Sequence, residues 1–203
     1  MTGTGARSER IEAALRDWLQ RPLCRRYALA MFDLAAVRVR EAKDLRDGSV
    51  PWALGWLIDG QCEPLGAWAE PETASEGALR VVGDLKARGV ERLSYVAGIA
   101  CLRDPVNLAF SGTVIRSAAA PSASEASAAS VRLGLPSPER LADEIREGLA
   151  RALRRRGSFE TPTAALDFVA GALQRTERHL DRGGEIAKSR ARHPDAQMAS
   201  PSF

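Results

Sequence analysis

Apolar residues recur at helical spacing over residues 8–20, where Ile11, Leu15, Trp18 and Leu19 share one side behind Ser8. The pattern predicts an amphipathic helix that Pro22 ends. Over residues 25–41, RRYALAMFDLAAVRVRE, the period changes to two. Tyr27, Leu29 and Met31 alternate on one face, and Val37 and Val39 continue the strand after a bulge. Asp33 lies inside this apolar run. A polar loop with Asp47-Gly48 is expected next. Two apolar runs in SVPWALGWLIDGQCEPLGAWAE flank Asp59-Gly60, the best hairpin signal in the chain. Residues 73–86 read as a helix with acidic residues near its start, 91–98 as a short buried strand, and 101–110 as a helix disturbed early by Pro105. Thr113-Val114-Ile115 forms a brief strand. Residues 141–156 and 161–180 read as two further helices, the first strongly basic.

Three consecutive strands followed by alternation with helices predict an α/β sheet of mixed direction. The β-β-β-α-β-α-β order, with helices after it, is that of an RNase H-like fold, whose first strand is central and whose fourth pairs parallel beside it. The expected division is an N-terminal helix (1–22), a core (23–116), an Ala/Ser-rich linker (117–136), C-terminal helices (137–182) and a solvated tail (183–203).

With 203 residues, 45% hydrophobic and 27% charged, the chain suits one ordinary domain with extensions. It holds no apolar run near the roughly 18 residues that a membrane span needs. Its start, MTGTGARSERIEAAL, lacks the apolar segment of a secretory signal. A cytoplasmic protein without a membrane partner is expected. Formal net charge is +3, and nearly all basic residues are Arg; only Lys43, Lys86 and Lys188 are Lys. The Arg fork suits phosphate, although an Arg-biased codon usage gives the same composition. Cys24, Cys62 and Cys101 lack metal-site spacing and read as free thiols. His179 and His193 are isolated, and Trp52, Trp56 and Trp68 read as core.

The segments YALAMFDLAAVRVRE, WALGWLIDGQCEPLGAW and DLKARGVERLSYV resemble, in order and spacing, the catalytic core of Mutator-type bacterial insertion-sequence transposases. That pattern is an Asp strand with a V-[KR]-[VI]-R segment, a DG hairpin ending in LG-W, and a D-L-x-x-R-G helix end. The resemblance runs from Arg21 to about Gly98. A second stretch, ARALRRRGSFETPTAALDFVAGAL, resembles the family's final helical region, with Glu160 where Pro is usual. Between them the resemblance is weak, and the family's long helical insertion and N-terminal DNA-binding helices have no counterpart.

The resemblance implies DNA transposition by an Asp-Asp-Glu triad with Mg²⁺ as cofactor. Two Mg²⁺ ions about 4 Å apart stabilise the attacking and leaving oxygens of a phosphodiester, and the hard ions require converging carboxylates. Asp33 matches the first catalytic Asp and metal ligand; the competing reading is an edge Asp paired with a nearby Arg. The second Asp should end the 91–98 strand, but Ala97 stands there, or Ile99 on stricter counting from Gly89. Asp104 lies a turn or more further on. The third carboxylate falls at Asp143, with Glu144 adjacent; an ordinary acidic helix start of Asp143, Glu144 and Glu147 is the simpler explanation, because the family's Asn-rich context is missing. An incomplete triad implies impaired catalysis. The basic helix offers Arg146, Arg151, Arg154, Arg155 and Arg156 to DNA phosphates, or to Glu144 and Glu147 on a solvated face. The expected partners are DNA and a second copy or an active transposase. The alternative function is a non-enzymatic DNA-binding or interaction protein derived from a transposase.

Overall fold

The computed structural model of the chain describes residues 3–41, 44–71, 73–98, 100–117 and 138–191. Helix α1 spans Gly3–Gln20, and strands β1 (Arg26–Glu41), β2 (Asp44–Trp56) and β3 (Cys62–Ala67) follow. Helix α2 (Ala74–Ala87), strand β4 (Arg92–Gly98), a 3₁₀ turn at 100–102, helix α3 (Arg103–Ala109) and strand β5 (Val114–Ser117) complete the first part. Helices α4 (Pro138–Arg156) and α5 (Pro162–Ala191) end it. The five strands form one sheet in the order β3-β2-β1-β4-β5. The β1–β2 and β2–β3 pairs are antiparallel; β1–β4 and β4–β5 are parallel.

Alternation along β1 serves two cores. Leu29, Met31, Ala35, Val37 and Val39 join Val50, Trp52, Leu54 and Trp56 of β2 in a cluster closed by α1, α4 and α5. Ala30 and Phe32 join Ala53, Leu65, Leu93 and Val96 in a second cluster, closed by α2 and α3. Both faces of β1 are therefore buried along much of its length, which explains why its sequence reads as a nearly continuous apolar run. The C-terminal helices are part of this structure: Ala142, Ile145, Leu149 and Leu153 of α4 and Ala165, Val169, Ala170 and Leu173 of α5 are buried in the first cluster.

The DLKARG segment proves to be architectural. Arg88, 7% exposed, donates to the Leu65 carbonyl (2.6 Å), the Arg21 carbonyl (2.9 Å) and Asp84 (3.2 Å). Asp84 also accepts from the Trp68 indole at 3.0 Å. One side chain thus ties α2 to β3 and to the entry of β1. Gly89, at φ 98°, then ends α2: its N–H bonds Lys86 O and that of Val90 bonds Leu85 O, both at 3.0 Å. This is a Schellman cap, with Leu85 and Val90 buried in the same cluster.

Several expectations change in detail. Residues Asp47-Gly48 are not in a loop but in β2, paired with Arg38 and Val37. A Cβ at Gly48 would meet Glu70 Oε2 at 2.9 Å, so glycine there marks a close approach and not a turn. The β1–β2 ladder runs unbroken from Leu29 to Glu41, with no bulge before Val37. The irregularity lies instead between β2 and β3, at Ala53/Leu54. Tyr27 belongs to the opposite cluster from Leu29 and Met31. The expected tail is helical through Ala191. The Asp59-Gly60 hairpin is as expected, with Gly60 at φ 83° and Leu57 N donating to Gln61 O at 2.8 Å. The Ala/Ser-rich segment 118–137 and residues 192–203, His193 included, lie outside the described residues.

Candidate functional site

Asp33 continues the alternation of Leu29 and Met31, so its side chain leaves the sheet on the α4 side. Hydrophobic order puts it there, and β4 stops just short of it: the last β1–β4 pair is Met31 with Ala97. Asp33 thus stands mid-strand on the central strand, two residues past the last residue of β1 paired with its parallel neighbour. In open α/β sheets this edge is where ligands bind. Close approach of the two strands depends on Gly98, at φ 124°, where a Cβ would lie 2.0 Å from the Phe32 carbonyl oxygen.

Helix α4 lies over β1. Its buried stripe of Ala142, Ile145, Leu149 and Leu153 sets its rotation, and Asp143 and Arg146 flank that stripe. Arg146 Nε donates to Asp33 Oδ2 at 2.5 Å, and Arg146 Nη1 donates to Asp143 Oδ1. Asp33 Oδ1 accepts from Leu34 N at 2.7 Å. The two carboxylates named from sequence are therefore brought together, 110 positions apart in the chain, around one guanidinium. Burial alone would lower the pKa of Arg146, but its hydrogen bonds and the charges of Asp33 and Asp143 raise it above the ordinary value. It is a permanent cation.

The other candidates are placed elsewhere. Ala97 is buried in the same cluster as Met31, on the Asp33 side of the sheet; Ile99 lies outside the described residues. Asp104 is on α3, whose Val106 is buried in the cluster of the opposite face. Glu144 points to solvent and pairs with Arg140 at 3.2 Å. Arg151, Arg154, Arg155 and Arg156 are all exposed. Arg156 lies over the Phe159 ring, 5.6 Å from its centroid. Phe159 is itself bonded to β1: its N–H donates to Arg38 O (2.9 Å) and its carbonyl accepts from Arg40 N (2.8 Å). A cleft of about 620 Å³ runs between α4 and the projecting β1–β2 ribbon, with Arg38, Arg146, Arg154, Trp52 and Phe159 in its walls.

Arg146 is the residue whose place the sequence reading missed, having grouped it with the phosphate-contacting arginines. The available signal was its spacing: it follows Asp143 by three residues and adjoins the buried Ile145, on the edge of the face that meets the sheet.

A pair of catalytic Mg²⁺ ions does not fit these residues. Ala97 offers no oxygen, the Asp33–Asp143 gap holds a guanidinium, and among the described residues no three His, Cys, Asp or Glu side chains cluster to hold a metal. No described helix is long and apolar enough to cross a membrane.

Comparison with known proteins places these features in a lineage. Over 111 residues the chain is 32% identical to a protein of Sinorhizobium fredii named as a probable transposase for insertion sequence element ISRM3-like, covering 54% of this chain and 28% of the relative. It is 32% identical over 105 residues to the transposase for insertion sequence element ISRM3 of Rhizobium meliloti, covering 51% of this chain and 26% of that protein. The chain thus spans little more than a quarter of the length of these curated relatives. The family model described as Transposase, Mutator family matches residues 5–116, from α1 through β5 and so including Asp33, the DG hairpin and Ala97. The chain belongs to the Mutator family of transposases.

Proposed function

We propose that this transposase-like protein acts in DNA transposition through an RNase H-like core that engages DNA but is impaired in phosphodiester chemistry. The observation that carries the reading is the site itself: Asp33 and Asp143 on one face, with Ala97 at the end of the neighbouring strand where the second carboxylate is needed. The central position of β1, the parallel β4 beside it and the antiparallel β2–β3 hairpin support the RNase H-like assignment. Asp33 takes the role of first carboxylate and Asp143 that of the third, with Glu144 as its solvent-facing neighbour. Residues 23–116 act as the core, and 137–182 carry the third carboxylate and the basic face; α1, within residues 1–22, supports α5.

Mg²⁺ is the cofactor that the resemblance implies. Supplied with it, an intact relative would activate the attacking oxygen and stabilise the leaving one. Here Asp33 and Asp143 hold a side-chain cation instead. What remains is electrostatic. Arg151, Arg154, Arg155 and Arg156 form a basic end on α4, beside the strand that carries Arg38 and Arg40, suited to a DNA backbone in the cytoplasm.

Two measurements test this. Duplex binding titrated against salt should show a clear slope, and replacing Arg151, Arg154 and Arg155 by Ala should flatten it by roughly 0.9 per lost phosphate contact. Binding without a salt slope removes the DNA reading. Incubation of DNA with Mg²⁺ or Mn²⁺ should yield no cleavage. Metal-dependent cutting by the unmodified protein, lost in Asp33→Ala, overturns the impaired site.

A further inference from the structure

We infer that Arg146 is the built-in cation of this site: its guanidinium occupies the place between Asp33 and Asp143 that a divalent ion would need, and so closes the face to metal. The inference rests on the proposed role of Asp33 and Asp143 as the remaining carboxylates. It goes further in naming what replaced the metal, and it concerns ion binding and not DNA.

Two carboxylates forced together without a cation repel each other, and the arrangement persists only if something positive lies between them. Arg146 meets that need from α4. Its Nε bonds Asp33 and its Nη1 bonds Asp143, so two separate N–H groups of one fork address two separate acids. Asp33 is 29% exposed, Arg146 44% and Asp143 61%, so the bridge lies at the open rim of the site, its inner end on Asp33. Arg146 cannot release its proton near neutral pH.

The backbone holds this closure in place. The apolar stripe of α4 is buried on β1, and Phe159, just past the helix, is hydrogen-bonded to the β1 backbone at Arg38 and Arg40. Arg146 therefore belongs to an element fixed on both sides of it. An incoming divalent ion would have to displace a tethered guanidinium and then make do with two carboxylates, since Ala97 offers none. Mg²⁺, which demands near-ideal octahedral coordination and gives up water reluctantly, is poorly placed to do so.

The test uses the full chain and Mn²⁺ as probe, with free Mn²⁺ followed by electron paramagnetic resonance and folding by circular dichroism and thermal melting. The unmodified protein should show no saturable Mn²⁺ binding that Asp33→Asn removes. Arg146→Gln and Arg146→Ala should each melt lower without metal, show a saturable Mn²⁺ site that the parent lacks, and recover melting temperature on adding it. Introducing Asp33→Asn into either variant should abolish that gain. Asp33-dependent Mn²⁺ binding by the unmodified protein overturns the inference, and so does a folded Arg146→Gln protein that binds no Mn²⁺. Should neither variant fold, the unmodified protein's titration decides alone. None of these readouts involves DNA, so failure of duplex binding would count against the proposed function and leave this result intact.

Discussion

Arg88 shows how far one side chain can organise its surroundings. Its nearly complete burial would be costly for an isolated charge. Three acceptors from three places in the chain, Arg21 O, Leu65 O and Asp84, make it tolerable. Arg88→Met keeps the bulk but leaves the Arg21 and Leu65 carbonyls without their side-chain donor and removes the cation beside Asp84, which keeps only the Trp68 indole. A loss of about 3 kcal/mol in urea unfolding is expected, well above what an exposed Arg such as Arg103 should show. If the two substitutions cost the same, the web around Arg88 is not stabilising. Asp33 is a contrasting case at the same scale. Its strand is central and not at an edge, its side chain stands beyond the last β1–β4 pair, and it is bonded to Arg146. Only the partner was hidden, because no local pattern links positions 33 and 146.

Between elements, the clearest electrostatic tension lies where α1 meets α5. Asp167 of α5 is partly buried, and burial, with the nearby charge of Glu12, raises its pKa above the ordinary 3.8 despite Arg16. A carboxyl whose pKa is raised by folding favours the folded state when protonated and disfavours it when ionised, so stability is lost as pH rises through the folded pKa. Asp167→Asn is expected to raise the melting temperature slightly near pH 7 and to give no advantage near pH 3, where the native acid is protonated. Equal gains at both pH values would mean that charge is not the cause. Just past α1 the charges are well matched: Arg21 donates to Glu177 and to Pro64 O, both at 2.6 Å, and stacks over Trp18. Helices and strands of strong periodicity were legible in sequence, as was the turn at Asp59-Gly60. The role of Gly48 was not, because a glycine next to an aspartate signals a turn unless the facing Glu70 is known.

At the level of the whole molecule, the order of elements and the central, parallel placement of β1 beside β4 could be anticipated, because two-sided burial and a hairpin leave few ways to arrange such strands. The attachment of α4 and α5 could not. Their apolar stripes indicate that they pack, but the small, featureless stretch before them carries no information about where. The site inherits that asymmetry. Asp33 and Ala97 could be placed together from one continuous stretch, whereas Asp143 and Arg146 arrive from a helix whose docking depends on the shape of the sheet face as a whole.

The way α4 and α5 bury their stripes against β1, β2 and α1 has a consequence for how the chain can be divided. Two polypeptides, one ending at residue 117 and one starting at 138, should find each other without a covalent link, since the second has no other surface to cover its Leu149, Leu153, Val169 and Leu173. Co-expressed with a tag on one half only, both should be recovered together at equal stoichiometry. Recovery of the tagged half alone would mean that adhesion between them is too weak to survive the cut.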